Sequence, residues 1–280
     1  MAYVGLVLLG LAVGAFGTLI GAGGGFLLAP VLVLLYPHES AETIASISLA
    51  VVFCNALSGT AAYLRQHKVD VRAGLRFTLA AIPGSVLGAI VVSHLPRIAF
   101  EIALGVVLVA VGVFLFVKRR NGAGGAGGAE AAHEPLGTEI ERDPVWGPRV
   151  RHHTGRGMAI SAGVGFLSSL LGIGGGIIHV PALVHVLGFP VHVATATSHF
   201  VLATTAGAGT LTHVVRGGLH VGWHRALCLG AGAVVGAQIG AHFAKRTPPR
   251  LILKGLAVAL VLVGLRIAYQ GVAAWVGVGK

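Results

Sequence analysis

The sequence predicts an all-α, polytopic transmembrane protein made of two homologous repeats. Three observations predict this fold class: long uncharged apolar stretches, a duplicated glycine motif, and a polar segment between the two copies of the motif. Of the 280 residues, 55% are hydrophobic and 10% are charged. Soluble domains carry about 25% charged residues, so this composition fits a chain whose solvent is lipid.

The apolar stretches are long enough to span a bilayer. Residues 3–36 and 43–64 contain no Lys or Arg, and Glu101 is the only charged residue in 98–117. A spanning helix needs about 20 apolar residues, so we expect about 8–10 membrane segments. The first stretch lacks a basic region before it and continues into more apolar sequence. We interpret it as a retained helix of a multi-pass protein in the cell inner (cytoplasmic) membrane.

A tandem repeat is the strongest internal signal. Residues 19–30 and 170–181 align without a gap and share four glycines and a proline. These are Gly21, Gly23, Gly24, Gly25 and Pro30 in the first copy, and Gly172, Gly174, Gly175, Gly176 and Pro181 in the second. A Gly-x-x-x-Gly pair also recurs, at 84–88 and 236–240. We therefore predict a first transmembrane repeat at 1–117 and a second at 157–280.

A polar connector, residues 118–156, separates the repeats. It holds five of the nine acidic residues, seven of the twenty Lys and Arg, and a Gly/Ala run at 122–129. This composition predicts a flexible linker that packs against nothing, and the positive-inside rule places it in the cytoplasm. The net charge of +11 is explained by basic loops at an anionic lipid surface and does not indicate a nucleic-acid partner.

Apolar runs and their Gly or Pro boundaries predict five helices in each half. They cover 3–20, 26–36, 43–65, 73–94 and 98–117, and then 157–171, 177–188, 193–215, 222–243 and 250–270. The second helix of each half is too short to span alone, so it pairs with the helix before it across the glycine cluster. Re-entrant hairpins would make the repeats inverted, and broken crossing helices would make them parallel. Loop charges do not decide between these, but short glycine-interrupted segments at matching positions favour inverted repeats.

The glycine clusters are the first candidate for a binding site. Each glycine costs a helix about 1 kcal/mol relative to alanine, so three in a row open the helix. The helix that follows begins with free N–H groups, which bind oxyanions without a basic side chain. The candidate substrate-binding glycines are Gly23, Gly24, Gly25, Gly174, Gly175 and Gly176. Close helix packing is the alternative, and it is our interpretation of the Gly-x-x-x-Gly pairs.

Polar residues inside the apolar helices complete the predicted site. They are Ser48, Asn55, Thr197, Ser198 and His199. A single hydroxyl in a helix usually bonds to its own backbone, but hydroxyls clustered near a helix start can donate to an anion. His199 can donate to an anion or carry a proton. Leu49 stands at the matching position of the first half, so either role would be asymmetric.

All nine Asp and Glu residues fall in loops, helix ends or the linker, so we expect no buried carboxylate. A cation carrier would then lack its usual ligands. The histidines have no metal-ligand spacing, and Cys54 and Cys228 are isolated, so we expect no metal, no cofactor and no enzymatic activity. The residues indicate an anion carrier. An anion channel, a carrier of another small organic anion, an intramembrane enzyme and a structural subunit are the alternatives.

The duplicated glycine motifs, together with residues 55–63 and 196–200, resemble those of the sulfite exporter TauE/SafE family. The resemblance covers both halves and leaves out the linker. It implies secondary transport of small sulfur-containing anions, such as sulfite, organosulfonates or sulfoacetate, by alternating access around a mid-membrane site. The first half departs from the second, with Leu49 in place of His199, which leaves the symmetry of the site open. The sequence also leaves open coupling to protons or other ions and assembly as a homodimer.

Overall fold

The computed structural model describes residues 2–122, 140–143, 147–150, 152–243 and 260–272. Within these residues the first half contains α1 (Ala2–Ile20), α2 (Gly25–Leu35), α3 (Ala41–Arg65), α4 (Val71–Val92) and α5 (Arg97–Gly122). The second half contains α6 (Thr154–Leu171), α7 (Gly176–His185), α8 (Val191–Val215), α9 (Trp223–Phe243) and α10 (Leu260–Val272). Between the halves, β1 (Ile140–Asp143) pairs antiparallel with β2 (Gly147–Val150).

The helical membrane fold is confirmed. Five helices, α1, α3, α4, α5 and α9, are long and apolar enough to cross a bilayer. The observed helix boundaries lie within a few residues of the predicted ones, except that α5 continues to Gly122, beyond the predicted 117. The predicted start of the last helix, at 250, lies outside the described residues.

Two long helix pairs join the halves, α1 with α9 and α4 with α6. Residue numbers rise together along each pair, so the paired helices run parallel, and the Gly-x-x-x-Gly positions form the contacts. The backbones that touch are those of Gly84 with Ala162, Gly88 with Phe166, Gly236 with Leu11, and Gly240 with Ala15. A Cβ at any of these glycines would overlap a backbone oxygen, which confirms the close-packing interpretation.

The corresponding helices α3 and α8 cross at the centre in opposite directions. Gly59 of α3 lies beside His199, near the start of α8, while Leu49 lies beside Gly209, near its end. The peripheral helices α5 and α10 are also antiparallel, since Gly105 lies beside Ala268 and Gly271 lies beside Ile102. The central pair buries much of its apolar and small-residue surface in the interior.

Both short helices turn back along the helix that precedes them. In the second half, the Gly175 N–H donates to Ser168 Oγ at 2.8 Å, and His179 Nε2 lies 2.9 Å from Ser161 Oγ, so α7 runs antiparallel to α6. After α2, Glu39 Oε1 accepts from Arg225 Nη1 at 2.7 Å. Arg225 lies at the start of α9. Because α9 runs parallel to α1, α2 ends at the face of the bundle where α1 begins.

The expectation that no carboxylate is buried is wrong. Asp70 is 2% exposed and Glu101 is 8% exposed. Each lies near a helix end and has partners. The Asp70 carboxylate accepts from the N–H groups of Ala73 and Val150 at 2.9 and 3.0 Å, and Glu101 Oε1 accepts from Arg97 Nε at 2.6 Å. Burial is tolerated there because hydrogen bonds or an ion pair compensate the charge.

The expectation that the linker packs against nothing is wrong for β2. The Val150 side chain is buried in a cluster that includes Phe77 and Phe189, and its N–H donates to Asp70. The linker prediction was based on composition, which does not show that a few apolar residues near its end fit a groove of the bundle. The Gly/Ala-rich middle of the linker lies outside the described residues.

We expect Gly14→Val to destabilise the protein through the α1–α9 contact. A Cβ at Gly14 would stand 2.6 Å from the Ala233 Cα, and overpacking of this kind costs about 1–3 kcal/mol. Gly5→Val, on the exposed part of the same helix, is the matched control because nothing lies within 4 Å of its Cβ. Thermal unfolding in detergent should show a lower midpoint for Gly14→Val only. Equal midpoints for the two variants would contradict the contact.

Candidate functional site

The two glycine turns meet at the centre of the molecule. A Cβ on Gly25 would stand 2.6 Å from the carbonyl oxygen of Ile173, and one on Gly176 would stand 2.6 Å from the Ala22 Cα. Val52 packs against both turns. It is near the middle of α3, which spans Ala41–Arg65. The turns therefore lie at mid-height of the central helices, where the sequence predicted a site.

The backbone of both turns requires glycine. The positive φ angles are +82° at Gly21, +76° at Gly23 and +79° at Gly24, and +64° at Gly172 and +67° at Gly174. Side chains of L-residues strain this left-handed conformation. The glycines thus serve two purposes at once, since they reverse the chain and they allow the two turns to touch backbone to backbone.

Because the turns touch, the open space lies to one side of them. A small cavity opens beside the second turn, between α4, α6, α7 and α8. Its polar lining consists of Ser161, Gly175, Gly176, His179, Ser198 and Thr205. Ala81, Val201 and Leu202 form an apolar wall.

The start of α7 gives this cavity its donors. The Gly175 N–H is already used by Ser168 Oγ, but the first N–H groups of a helix have no acceptor within it and carry a partial positive charge. The Ser198 side chain is 1% exposed, and its hydroxyl has no hydrogen-bond partner among the described residues. A buried hydroxyl without a partner costs about 1–3 kcal/mol. An acceptor atom in the cavity would satisfy both kinds of donor.

A second buried polar group lies on the side of α8 that faces α1 and α3. Thr18 Oγ1 donates to Asn55 Oδ1 at 3.0 Å and lies 3.3 Å from His199 Nε2. The Tyr63 hydroxyl donates to the Thr18 carbonyl at 2.8 Å, and its ring meets the His199 ring edge-on. His199 and Asn55 therefore belong to a network that joins three helices, and neither residue lines the cavity.

The other two hydroxyl candidates also bond within the protein. Ser48 Oγ donates to the Gly172 carbonyl at 2.5 Å, and Thr197 Oγ1 accepts from the Asp70 N–H at 3.0 Å. Of the eleven predicted site residues, the cavity brings together Gly175, Gly176 and Ser198. The others form the turns or bond elsewhere: Gly23, Gly24, Gly25, Gly174, Ser48, Asn55, Thr197 and His199.

Sequence reasoning left Ser161, His179 and Thr205 out of the predicted site, although all three line the cavity. A signal for two of them exists in the repeat. His179 stands where the first half has Leu28, and at the same offset Ser161 stands where the first half has Gly10. Polar residues that appear in one copy of a repeat, at positions that are apolar in the other copy, mark a difference in chemistry between the two halves.

Comparisons with known proteins agree with this fold. A family model described as sulfite exporter TauE/SafE matches residues 6–267. The probable membrane transporter protein YunE of Bacillus subtilis (strain 168) is 32% identical over 278 residues, which cover 97% of this chain and 99% of the relative. The probable membrane transporter protein YjnA of the same organism is 26% identical over 280 residues, covering 94% and 99%. No solved structure matches the chain significantly.

A relative from an archaeon extends these matches. A probable membrane transporter protein of Methanocaldococcus jannaschii is 26% identical over 216 residues, covering 75% of this chain and 71% of the relative. The fold and these relatives define a multi-pass membrane transporter. Its family is equally clear, because the family match spans nearly the whole chain: the protein belongs to the sulfite exporter TauE/SafE family.

We expect Thr18→Val to lower stability, because valine keeps the shape of threonine but removes the hydroxyl that Asn55 and His199 share. Leaving two buried partners unsatisfied should cost about 1–3 kcal/mol. Thr60→Val is the control, since the Thr60 hydroxyl is buried with no partner among the described residues. The thermal midpoint should fall for Thr18→Val and stay or rise for Thr60→Val. A fall of the same size in both variants would mean that the network contributes nothing.

Proposed function

We propose that this protein is a secondary transporter of small sulfur-containing anions, such as sulfite, organosulfonates or sulfoacetate, and that the cavity at the start of α7 is its anion site. One observation carries the proposal. The N-terminus of a buried helix shares one cavity with a buried hydroxyl that has no partner in the described ranges of the chain, and no carboxylate is among the residues that line this cavity.

The cavity can bind an anion through hydrogen-bond donors, without a residue that carries a formal positive charge. Backbone N–H groups at a helix start bind oxyanions without a basic side chain. A hydrogen bond to a charged group contributes about 1.5–3 kcal/mol, more than one between neutral groups. The apolar wall formed by Ala81, Val201 and Leu202 is the kind of surface that the carbon part of a sulfonate prefers to contact. The family name supports the same substrate class, and the relatives named as probable membrane transporters support transport across a membrane.

We infer that the two repeats are inverted in the membrane. The corresponding helices α3 and α8 run antiparallel. Antiparallel helices are related by a two-fold axis that is perpendicular to the helix axes, and not by one parallel to them. The loops at the ends of α4 and α8 support this inference, because Arg216 Nη2 donates to Ser93 Oγ at 3.1 Å. Parallel repeats would place these loops on opposite sides of the bilayer. Inverted repeats around a central site are the usual basis of alternating access.

The inverted arrangement predicts that a cysteine at His220 is labelled from outside intact cells. The background is the protein without Cys54 and Cys228, and the reagent is a maleimide that does not cross membranes. His94→Cys, in the loop after α4, is the control for an outside position, and Gln66→Cys, after α3, is the control for a cytoplasmic position. Parallel repeats would protect His220→Cys while leaving both controls unchanged.

For the anion site, we expect Ser198→Ala to weaken substrate binding about tenfold, equivalent to about 1.4 kcal/mol, because one hydrogen bond to the anion is lost. The assay is counterflow of labelled methanesulfonate in proteoliposomes, which carriers show and channels do not. Thr60→Val is the matched control, because its hydroxyl is also buried without a partner but does not line the cavity. It should leave the half-saturating concentration unchanged.

Two results would count against the proposal. Equal half-saturating concentrations for Ser198→Ala and the wild type would exclude the cavity as the anion site. Methanesulfonate flux without counterflow in the wild type would indicate a channel instead of a carrier.

A further inference from the structure

We infer that His179 is a proton-binding site within the anion cavity, so that the protein carries one proton with each anion. The inference rests on the proposed function, because it assigns the coupling ion and the coupling residue to the same cavity. It is carried by the hydrogen bonds of His179, by the groups that surround it, and by its place at the start of α7.

The contacts of His179 allow a tautomer in which Nδ1 is free. Ser161 Oγ lies within hydrogen-bond distance of the Gly157 carbonyl, at 2.8 Å, and of His179 Nε2, at 2.9 Å, and a serine hydroxyl has a single hydrogen to donate. When that hydrogen is donated to Gly157, His179 Nε2 is the donor to Ser161 Oγ. We assign this tautomer, in which neutral His179 has its N–H at Nε2 and its lone pair at Nδ1. A second proton then binds at Nδ1 without breaking the bond to Ser161.

Within the described part of the chain, no residue recorded around His179 carries a charge that could compensate an imidazolium. The side chain is 2% exposed. From α4, Phe77 meets its ring edge-on, with 5.9 Å between ring centroids. From α6 it faces Ser161, and from α8 the cavity wall is formed by Ser198, Val201, Leu202 and Thr205. His152 is the titratable group on the far side of Phe77, with ring centroids 5.3 Å apart.

Protonation of the empty cavity is therefore unfavourable. A buried charge without a partner costs several kcal/mol, and His179 lies in the first turn of α7, where the helix dipole disfavours a cation. An anion at the α7 N-terminus reduces both the cost of the buried charge and the unfavourable effect of the helix dipole, because it supplies the missing counter-charge. Binding of the proton and of the anion must then strengthen each other by the same factor.

The coupled step balances in charge and in protons. On loading, an oxyanion accepts hydrogen bonds from the α7 N-terminus and the Ser198 hydroxyl, and a proton from the same solution binds His179 Nδ1. The cavity then holds one negative and one positive charge, which together cross the apolar interior at lower cost than an anion alone. On release, the anion and the proton leave to the other side, and His179 returns to its neutral form.

The test uses the full-length protein in proteoliposomes with labelled methanesulfonate, which stays a monoanion across the whole working range of pH. With a more acidic outside solution, wild-type protein should accumulate the anion inside, up to about tenfold per pH unit for one coupled proton. An internal pH dye should report proton entry with the anion. His179→Gln should abolish accumulation, because the glutamine amide can still donate to Ser161 but cannot carry a proton.

His199→Gln is the matched control, since His199 is buried in the same membrane region but lies outside the cavity. It should keep pH-driven accumulation. The inference is overturned if His179→Gln still accumulates the anion, if His199→Gln alone loses accumulation, or if the wild type shows net uptake of the anion without proton entry. Absence of counterflow in the wild type would instead overturn the proposed function.

A binding measurement covers the case in which His179→Gln no longer transports. In detergent, thermal stabilisation of the wild type by methanesulfonate should strengthen as the pH falls, because protonated His179 favours the anion. His179→Gln should show stabilisation that does not change with pH. Unchanged pH dependence in this variant would overturn the assignment without any transport assay.

Discussion

The contact between the two glycine turns is the constraint on which the rest of the structure depends. Gly25 lies against Ile173 and Gly176 lies against Ala22, with no room for a side chain between the backbones. Dispersion attraction and close fit hold membrane helices together, since lipid provides no hydrophobic drive between them. The close contact also ends α1 and α6 inside the protein, which is why α7 begins beside an internal cavity rather than at the membrane surface.

The two halves of the chain differ in the polar residues around their glycine turns. Two equal turns could form two equal cavities, but the residues that surround the two turns differ. The second half supplies Ser161 and His179 where the first half has Gly10 and Leu28. On the opposite side, Thr18 links Asn55 and His199 by hydrogen bonds. One side of α8 thus joins three helices through polar contacts, and the other side lines the cavity.

The sequence was sufficient for the helices and for the position of the glycine turns that interrupt them, because both follow from local rules. Apolar length sets the spans, and a run of glycines opens a helix wherever it occurs. The direct contact of the two turns could not be predicted, since glycines that bind an anion and glycines that pack closely look the same in a sequence. The burial of Asp70 was missed for a similar reason. It depends on Val150, eighty residues further along the chain, and composition alone does not reveal that contact.

The exchange of partners between the two halves of the chain has a consequence for how the chain is made. The main partner of α1 is α9, and the main partner of α6 is α4, so neither half can complete its own packing. The ribosome produces α1 well before α9, with seven of the described helices between them. Helix α1 must therefore wait in the bilayer with its glycine face against lipid until α2 to α9 have been synthesised. Helix α9 then completes the packing of α1.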